Sequence, residues 1–267
     1  MSDNTTTTPP NAANGATPAV CTSQPCPNCW LNDHETEISI SSSYARYCRK
    51  YKPDGTKYTT AELPTLKMRA KIYAPIKTGT KITVEVRFKV EPQTGAGDTQ
   101  VNAAKSKLES GVNTHWNGKF SLKVDDPLCG PKTFAVVYKV LWVTSGEHYI
   151  LRVHRSWPRE GEGNGVVNVQ DSTTAWIFAH EFGHCVGLPD EYSTRGTADS
   201  VRYITPAGAL DAAVTAPAVK PPSDPSATIM STYDNTTTLK RHCWNVAIEV
   251  QALLSSALGR AIKCTIS

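Results

Sequence analysis

His180-Glu181-Phe182-Gly183-His184-Cys185-Val186-Gly187-Leu188-Pro189-Asp190-Glu191-Tyr192 holds the densest chemistry in the chain. Asp171 and Ser172 are good N-caps, and the run TTAWIFAHEFGHCV after them predicts a helix that ends at Gly187. On such a helix His180 and His184 lie one turn apart on one face, so both imidazoles can reach a single ion. Glu181 stands beside them, where its carboxylate can meet a reacting water without taking a coordination position. Gly187 follows His184 by three residues. Glycine enters the left-handed region cheaply, so the helix can stop there and turn sharply. The turn can return Asp190 to the ion as a third ligand, with Glu191 beside it as a substitute. Two imidazoles, a carboxylate and one open position describe a catalytic Zn2+ site. The plainer alternative, a buried amphipathic helix with two satisfied histidines, would bury two imidazoles and a carboxylate for no purpose.

A second string lies downstream, Ala227-Thr228-Ile229-Met230-Ser231. Together the two resemble the metzincin clan of zinc peptidases. HEFGHCVGLPD is similar to the clan's HExxHxxGxxD form at His180, Glu181, His184, Gly187 and Asp190. Residues 227–231 resemble its tight turn with a methionine beneath the metal, placed after the zinc motif and before a final helix. The resemblance implies an α+β fold: a twisted mixed sheet with a preceding helix, an active-site zinc helix, a Met-turn and a C-terminal helix. It implies Zn2+ on His180, His184 and Asp190, with Glu181 as general base. Some members use a tyrosine two residues after the methionine; here Tyr233 stands three after Met230 and is the nearest candidate. His242, in Arg241-His242-Cys243-Trp244, is a rival for the polarising role or for ligation. Met230 itself suits packing, since a thioether is a weak zinc ligand and its flexible chain fills gaps.

Outward from the motif, KMRAKIYA (67–74) and KITVEVRFKV (81–90) alternate apolar and polar positions and predict half-buried strands. A helix is expected over about 99–114, then strands over 118–124, 132–143 and 147–155, one of the last two being an edge that could take an extended peptide. REGEGNG (159–165) reads as a Gly-rich loop whose glycines precede the apolar run VVNV rather than a helix, so it is no phosphate cradle. Residues 193–226, rich in Ala, Pro, Thr and Ser, predict a long surface loop, and 240–259 a last helix. The expected organisation is a disordered arm (1–20), a Cys-containing N-terminal segment (21–60) and a peptidase domain (61–267).

Composition narrows the function. The 267 residues carry 28 Lys and Arg against 24 Asp and Glu, a formal charge of +4, so nucleic acid is a poor partner. No run of 18 apolar residues occurs, which excludes a membrane-spanning helix. The first 20 residues hold no basic n-region and no apolar h-region, so no Sec signal is expected. The HEFGHxxGLPDEY string, the IMS turn and RHCW resemble bacterial metallopeptidase effectors, including toxins delivered by type VI secretion. That resemblance implies a protein or peptide substrate, a dedicated secretion apparatus and an immunity protein as partners, and action in a target-cell envelope or cytosol; otherwise the enzyme is cytoplasmic. The alternatives are a secreted or housekeeping metzincin protease, a zinc amidase on cell-wall peptides, and a non-catalytic zinc module. Eight cysteines leave disulfides, a second metal at Cys21, Cys26, Cys29 and Cys48, and free thiols all open. A Cys185–Cys243 bridge between the zinc helix and the last helix is conceivable, as is a thiolate from Cys21–Cys29 blocking the zinc.

Overall fold

Strict alternation over residues 81–90 produces a strand with Ile82, Val84, Val86 and Phe88 on one buried face and Thr83, Glu85, Arg87 and Lys89 on the other. That strand is the centre of the molecule. The computed structural model describes residues 29–192, 199–212, 214–215 and 226–267. In chain order these form β1 (His34–Ile40), α1 (Ser43–Arg46), β2 (Cys48–Tyr51), β3 (Met68–Ala74), β4 (Lys81–Pro92), α2 (Asp98–His115), β5 (Ser121–Asp126) and β6 (Gly130–Trp142). There follow β7 (Tyr149–His154), β8 (Gly161–Gly163), β9 (Val166–Gln170), α3 (Ala175–Cys185), β10 (Ser200–Tyr203), β11 (Val214–Thr215), α4 (Trp244–Leu258) and β12 (Lys263–Ile266). The architecture is mixed α+β.

Nine strands make one sheet in the order β12-β5-β6-β4-β7-β9-β8, with β3 on β4 and β1 on β3. β4 pairs in parallel with β6 along one edge. Its other edge is shared: Thr83–Glu85 pairs antiparallel with β3, and Phe88–Pro92 pairs in parallel with β7. The Tyr149 hydroxyl pins this fork, meeting Lys67 O, Arg69 N and, at 2.7 Å, Cys185 O at the end of α3. α2 crosses α3 at Gly111, where a β-carbon would strike the Ala175 carbonyl. The buried Trp116 then donates from Nε1 to Ala179 O at 2.8 Å. Sheet and helices share one core that reaches from Ile38 to Ile266.

Several expectations need correction. Residues 34–51 do not stand apart as an N-terminal segment: β1 extends the main sheet and β2 pairs with β10, so no boundary falls at residue 60. The strands within 132–155 are interior, because β6 lies between β5 and β4, and β7 between β4 and β9. The edge strand beside α3 is β8, inside the segment expected to be a loop. β8 and β9 form a hairpin whose two-residue turn, Asn164-Gly165, has both φ angles positive (53° and 90°), the geometry for which Asn-Gly is suited. Within 193–226 the described residues include β10 and β11. The expected arm (1–20), Cys21 and Cys26 lie outside the described residues.

The cysteines also resolve differently. Cys29 is bridged to Cys129, and Cys48 is a buried thiol, so the two cannot join a four-thiolate knot. Cys185 and Cys243 are both free and buried; the Cys243 sulfur receives the Tyr138 hydroxyl at 3.6 Å. The Cys29–Cys129 bridge closes a span of 100 residues and ties the start of the described chain to the β5–β6 turn. Its removal should destabilise the fold by about 2–4 kcal/mol, mainly by releasing the unfolded chain. Thermal melts with and without reductant will check this: reductant should lower the midpoint of the native chain and leave a Cys29→Ser, Cys129→Ser variant unchanged.

Candidate metal centre

α3 begins at Thr174, whose hydroxyl accepts the Ile177 amide, and ends in a glycine cap. Gly187 takes φ 86°. Its amide bonds to His184 O at 2.8 Å and the Leu188 amide to Gly183 O at 3.0 Å, the two bonds of a Schellman motif. A side chain at Gly187 would also meet Ser43 Oγ at 2.7 Å, so glycine is required twice over. The turn brings Leu188 O back over the helix, where it accepts His184 Nδ1–H at 2.7 Å. His180 Nδ1–H donates to Ile229 O at 2.8 Å, from the segment before Met230. Both imidazoles are thus held in one tautomer by backbone carbonyls, with Nε2 left as the free lone pair.

Those two Nε2 atoms face Asp190. Its Oδ1 lies 3.3 Å from each of them, yet it is buried without a hydrogen-bond partner. Three electron-rich atoms aimed at one point repel unless a positive charge sits among them. Burial disfavours a charged His184, but the adjacent Asp190 carboxylate overrides this and lifts its pKa to about 10; the same pairing holds Asp190 well below its ordinary 3.8 against the effect of burial. The site calls for a cation, supplied by protons or by a metal. Ligand atoms about 2.0–2.1 Å from a tetrahedral zinc are about 3.3 Å apart, so the donor set and its spacing fit Zn2+.

Glu181 is near enough for its carboxylate to fall within 4.8 Å of the histidine nitrogens. One of its oxygens, Oε2, is committed elsewhere: it accepts the Glu162 backbone amide at 2.7 Å from β8. The Glu162 carboxylate in turn holds the Gly165 amide at 2.7 Å and so fixes the Asn164-Gly165 turn. Burial raises the pKa of Glu162, the Gly165 bond opposing it. The edge hairpin therefore positions Glu181, a link that the Asn164-Gly165 pair could have signalled in the sequence.

Glu191 is not a spare ligand. Its carboxylate is fully buried and accepts from Tyr203 Oη (2.9 Å), Thr228 Oγ1 (2.7 Å), Arg241 Nε (2.7 Å) and His242 Nε2 (3.1 Å). Burial opposes its charge, but His242 and Arg241 prevail and keep its pKa far below the usual carboxylate range. His242 is corrected by the same contacts: its Nδ1 accepts the Leu239 amide at 3.2 Å and its Nε2 is spent on Glu191, so neither nitrogen is left for a metal or substrate. Tyr233 does reach the cleft, half exposed, with its ring 4.9 Å from that of Trp176. Met230 is wholly buried beneath α3 at Gly183, where a β-carbon would meet its sulfur at 2.5 Å.

The cleft over these groups has a volume of about 560 Å3 and is lined by His180, Glu181, Trp176 and Tyr233, together with Arg159 and Tyr192, which sequence reasoning missed. Residues 164–217, spanning β9, α3 and the segment beyond, match the family model described as immune inhibitor A peptidase M6, catalytic domain. The match supports a zinc metallopeptidase. No curated protein matches the chain. Among solved structures, the chain is similar to high choriolytic enzyme 1, a hatching enzyme zinc-protease from Oryzias latipes (medaka fish), at 16% identity. The overlap covers 41% of this chain and 46% of that one, with a TM-score of 0.24. The chain thus spans just under half the length of that enzyme. A metallopeptidase of this kind implies a metal cofactor, and the donor set described above is the place for it. Among the described residues no helix is long and apolar enough to cross a membrane.

Proposed function

We propose that this chain is a zinc endopeptidase of metzincin type, with His180, His184 and Asp190 as ligands and Glu181 as general base. The observation that carries it is Asp190 Oδ1, buried, without a hydrogen bond and equidistant from two lone pairs. When bound, zinc would polarise the scissile carbonyl and acidify a water in the open position. Glu181 takes a proton from the attacking water and delivers it to the leaving amine. Its orientation for both transfers comes from the Glu162 amide, which holds Oε2 and leaves the other oxygen to the reaction. β8 is an edge strand among the described residues, where an extended peptide can add beyond the Glu162 amide, which is already given to Glu181.

The metal-dependent part is tested by removal. Chelator should abolish cleavage of a denatured protein substrate and lower the thermal midpoint, since zinc bound only to the native state stabilises it; stoichiometric Zn2+ should restore both. Cleavage that survives complete demetallation would overturn the assignment.

We further propose a bacterial effector role, supported by the resemblance of the HEFGHxxGLPDEY, IMS and RHCW strings alone. Its partners would be a secretion apparatus and an immunity protein. Growth of bacteria expressing the chain with and without an added export signal tests it. Killing that requires export points to an envelope target, and killing without export to a cytosolic one. Absence of toxicity from folded, zinc-loaded protein in both compartments would leave a housekeeping or secreted peptidase.

A further inference from the structure

Among the described residues, Arg159 is the one Lys or Arg side chain that lines the cleft. It is exposed, and among the described residues it takes part in no salt bridge; Tyr192, a neutral phenol, lines the same cleft. The neighbouring Glu160 also lines the cleft, and its Oε1 accepts from Gln170 Nε2 at 3.0 Å and Thr173 Oγ1 at 2.9 Å; it forms no salt bridge with Arg159.

The backbone around Arg159 is held as though its position mattered. Gln170, the last residue of β9, grips the segment on both sides: its Oε1 accepts the Trp157 amide at 3.0 Å, and its Nε2 donates to Glu160. Trp157 is also stacked on His154 with ring centroids 3.9 Å apart. The chain on either side of Arg159 is therefore anchored. The planar guanidinium fork matches a carboxylate through two parallel hydrogen bonds, which a phenol cannot return. Facing it, Trp176 and Tyr233 form an aromatic wall that can cover the aliphatic stem of a side chain.

We propose that Arg159 selects peptides bearing a carboxylate, from Asp or Glu, beside the scissile bond. This names the substrate class of the peptidase proposed above and rests on that reading.

The test profiles cleavage of a degenerate peptide mixture by the zinc-loaded full chain and by its Arg159→Gln and Arg159→Glu variants, each checked for zinc content and thermal midpoint. Cuts by the native chain should be enriched about tenfold or more for Asp or Glu at one fixed position, as expected for a charge-assisted pair. The enrichment should vanish in Arg159→Gln, invert toward Lys and Arg in Arg159→Glu, and weaken with salt. A native profile without acidic enrichment, or an Arg159→Glu profile that keeps it, overturns the inference while leaving the peptidase intact. A second measurement needs no turnover: glutamate and glutamine hydroxamates, which bind through the metal, are titrated into the zinc-loaded protein. Tighter binding of the glutamate compound, lost in Arg159→Gln, supports the inference; equal affinity overturns it. Failure of the native chain to cleave any peptide would sink the peptidase reading, and the hydroxamate comparison would still decide on Arg159.

Discussion

Glu181→Gln should lower turnover by about 10²–10⁴-fold while zinc content, fold and thermal midpoint stay as in the native chain. The amide is nearly isosteric with the carboxylate, and a Gln side-chain oxygen can still accept the Glu162 amide that holds Glu181 in place. What it lacks is a basic oxygen to take the water's proton and give it to the leaving amine. Because the hairpin anchor survives, a loss of activity can be assigned to proton transfer and not to a displaced side chain. Single-turnover cleavage together with metal analysis reads both quantities. A Glu181→Gln protein with native turnover would sink the general-base assignment, and one that has lost its zinc would move Glu181 into the ligand set.

Asp190 and Glu191 are adjacent acids, and their replacement by alanine should fail in opposite ways. Asp190→Ala removes the oxygen that meets both Nε2 atoms and leaves the Schellman turn and the Glu191 anchor untouched. The expected protein is folded, with zinc affinity lower by more than about 100-fold, a loss at least as large as that from deleting an outer-shell partner. Glu191→Ala strands Arg241 and His242 and deprives Tyr203 and Thr228 of their acceptor, in a place no water reaches. Removing one partner of such a buried pair costs about 3–5 kcal/mol, enough to unfold much of a typical domain. Denaturant titration and zinc binding on the two variants separate the roles. A Glu191→Ala protein as stable as the native chain would mean that the network carries no weight.

The network explains why His242 was misplaced from its sequence. A histidine at the opening of a helix close behind Met230 has the composition of a catalytic group. Only the convergence of Tyr203, Thr228, Arg241 and His242 on one carboxylate reveals an interior tie between β10, the Met230 turn and the start of α4. The edge strand was misassigned for a related reason. β6 and β7 have the alternation of half-buried strands, but which strand lies at an edge depends on neighbours brought in from β4, β5 and β9.

What the sequence determined by itself is what acts over a few residues. One helical turn places His180 above His184, Gly187 ends the helix, and alternation draws β4 and marks its buried face. These local rules also set the limits of α2 within a residue, whereas α3, capped by Thr174, and α4, from Trp244, both start later than the caps and periodicity suggest. Tertiary structure alone decided what depends on contacts between distant segments. It set which acid meets the lone pairs and which is sealed in the core, how Cys29 finds Cys129, and how a hairpin some twenty residues before Glu181 holds that carboxylate in position. Backbone torsions and side-chain periods are written in neighbouring residues. The burial and charge that choose between two adjacent carboxylates arise only when the sheet and helices close around them.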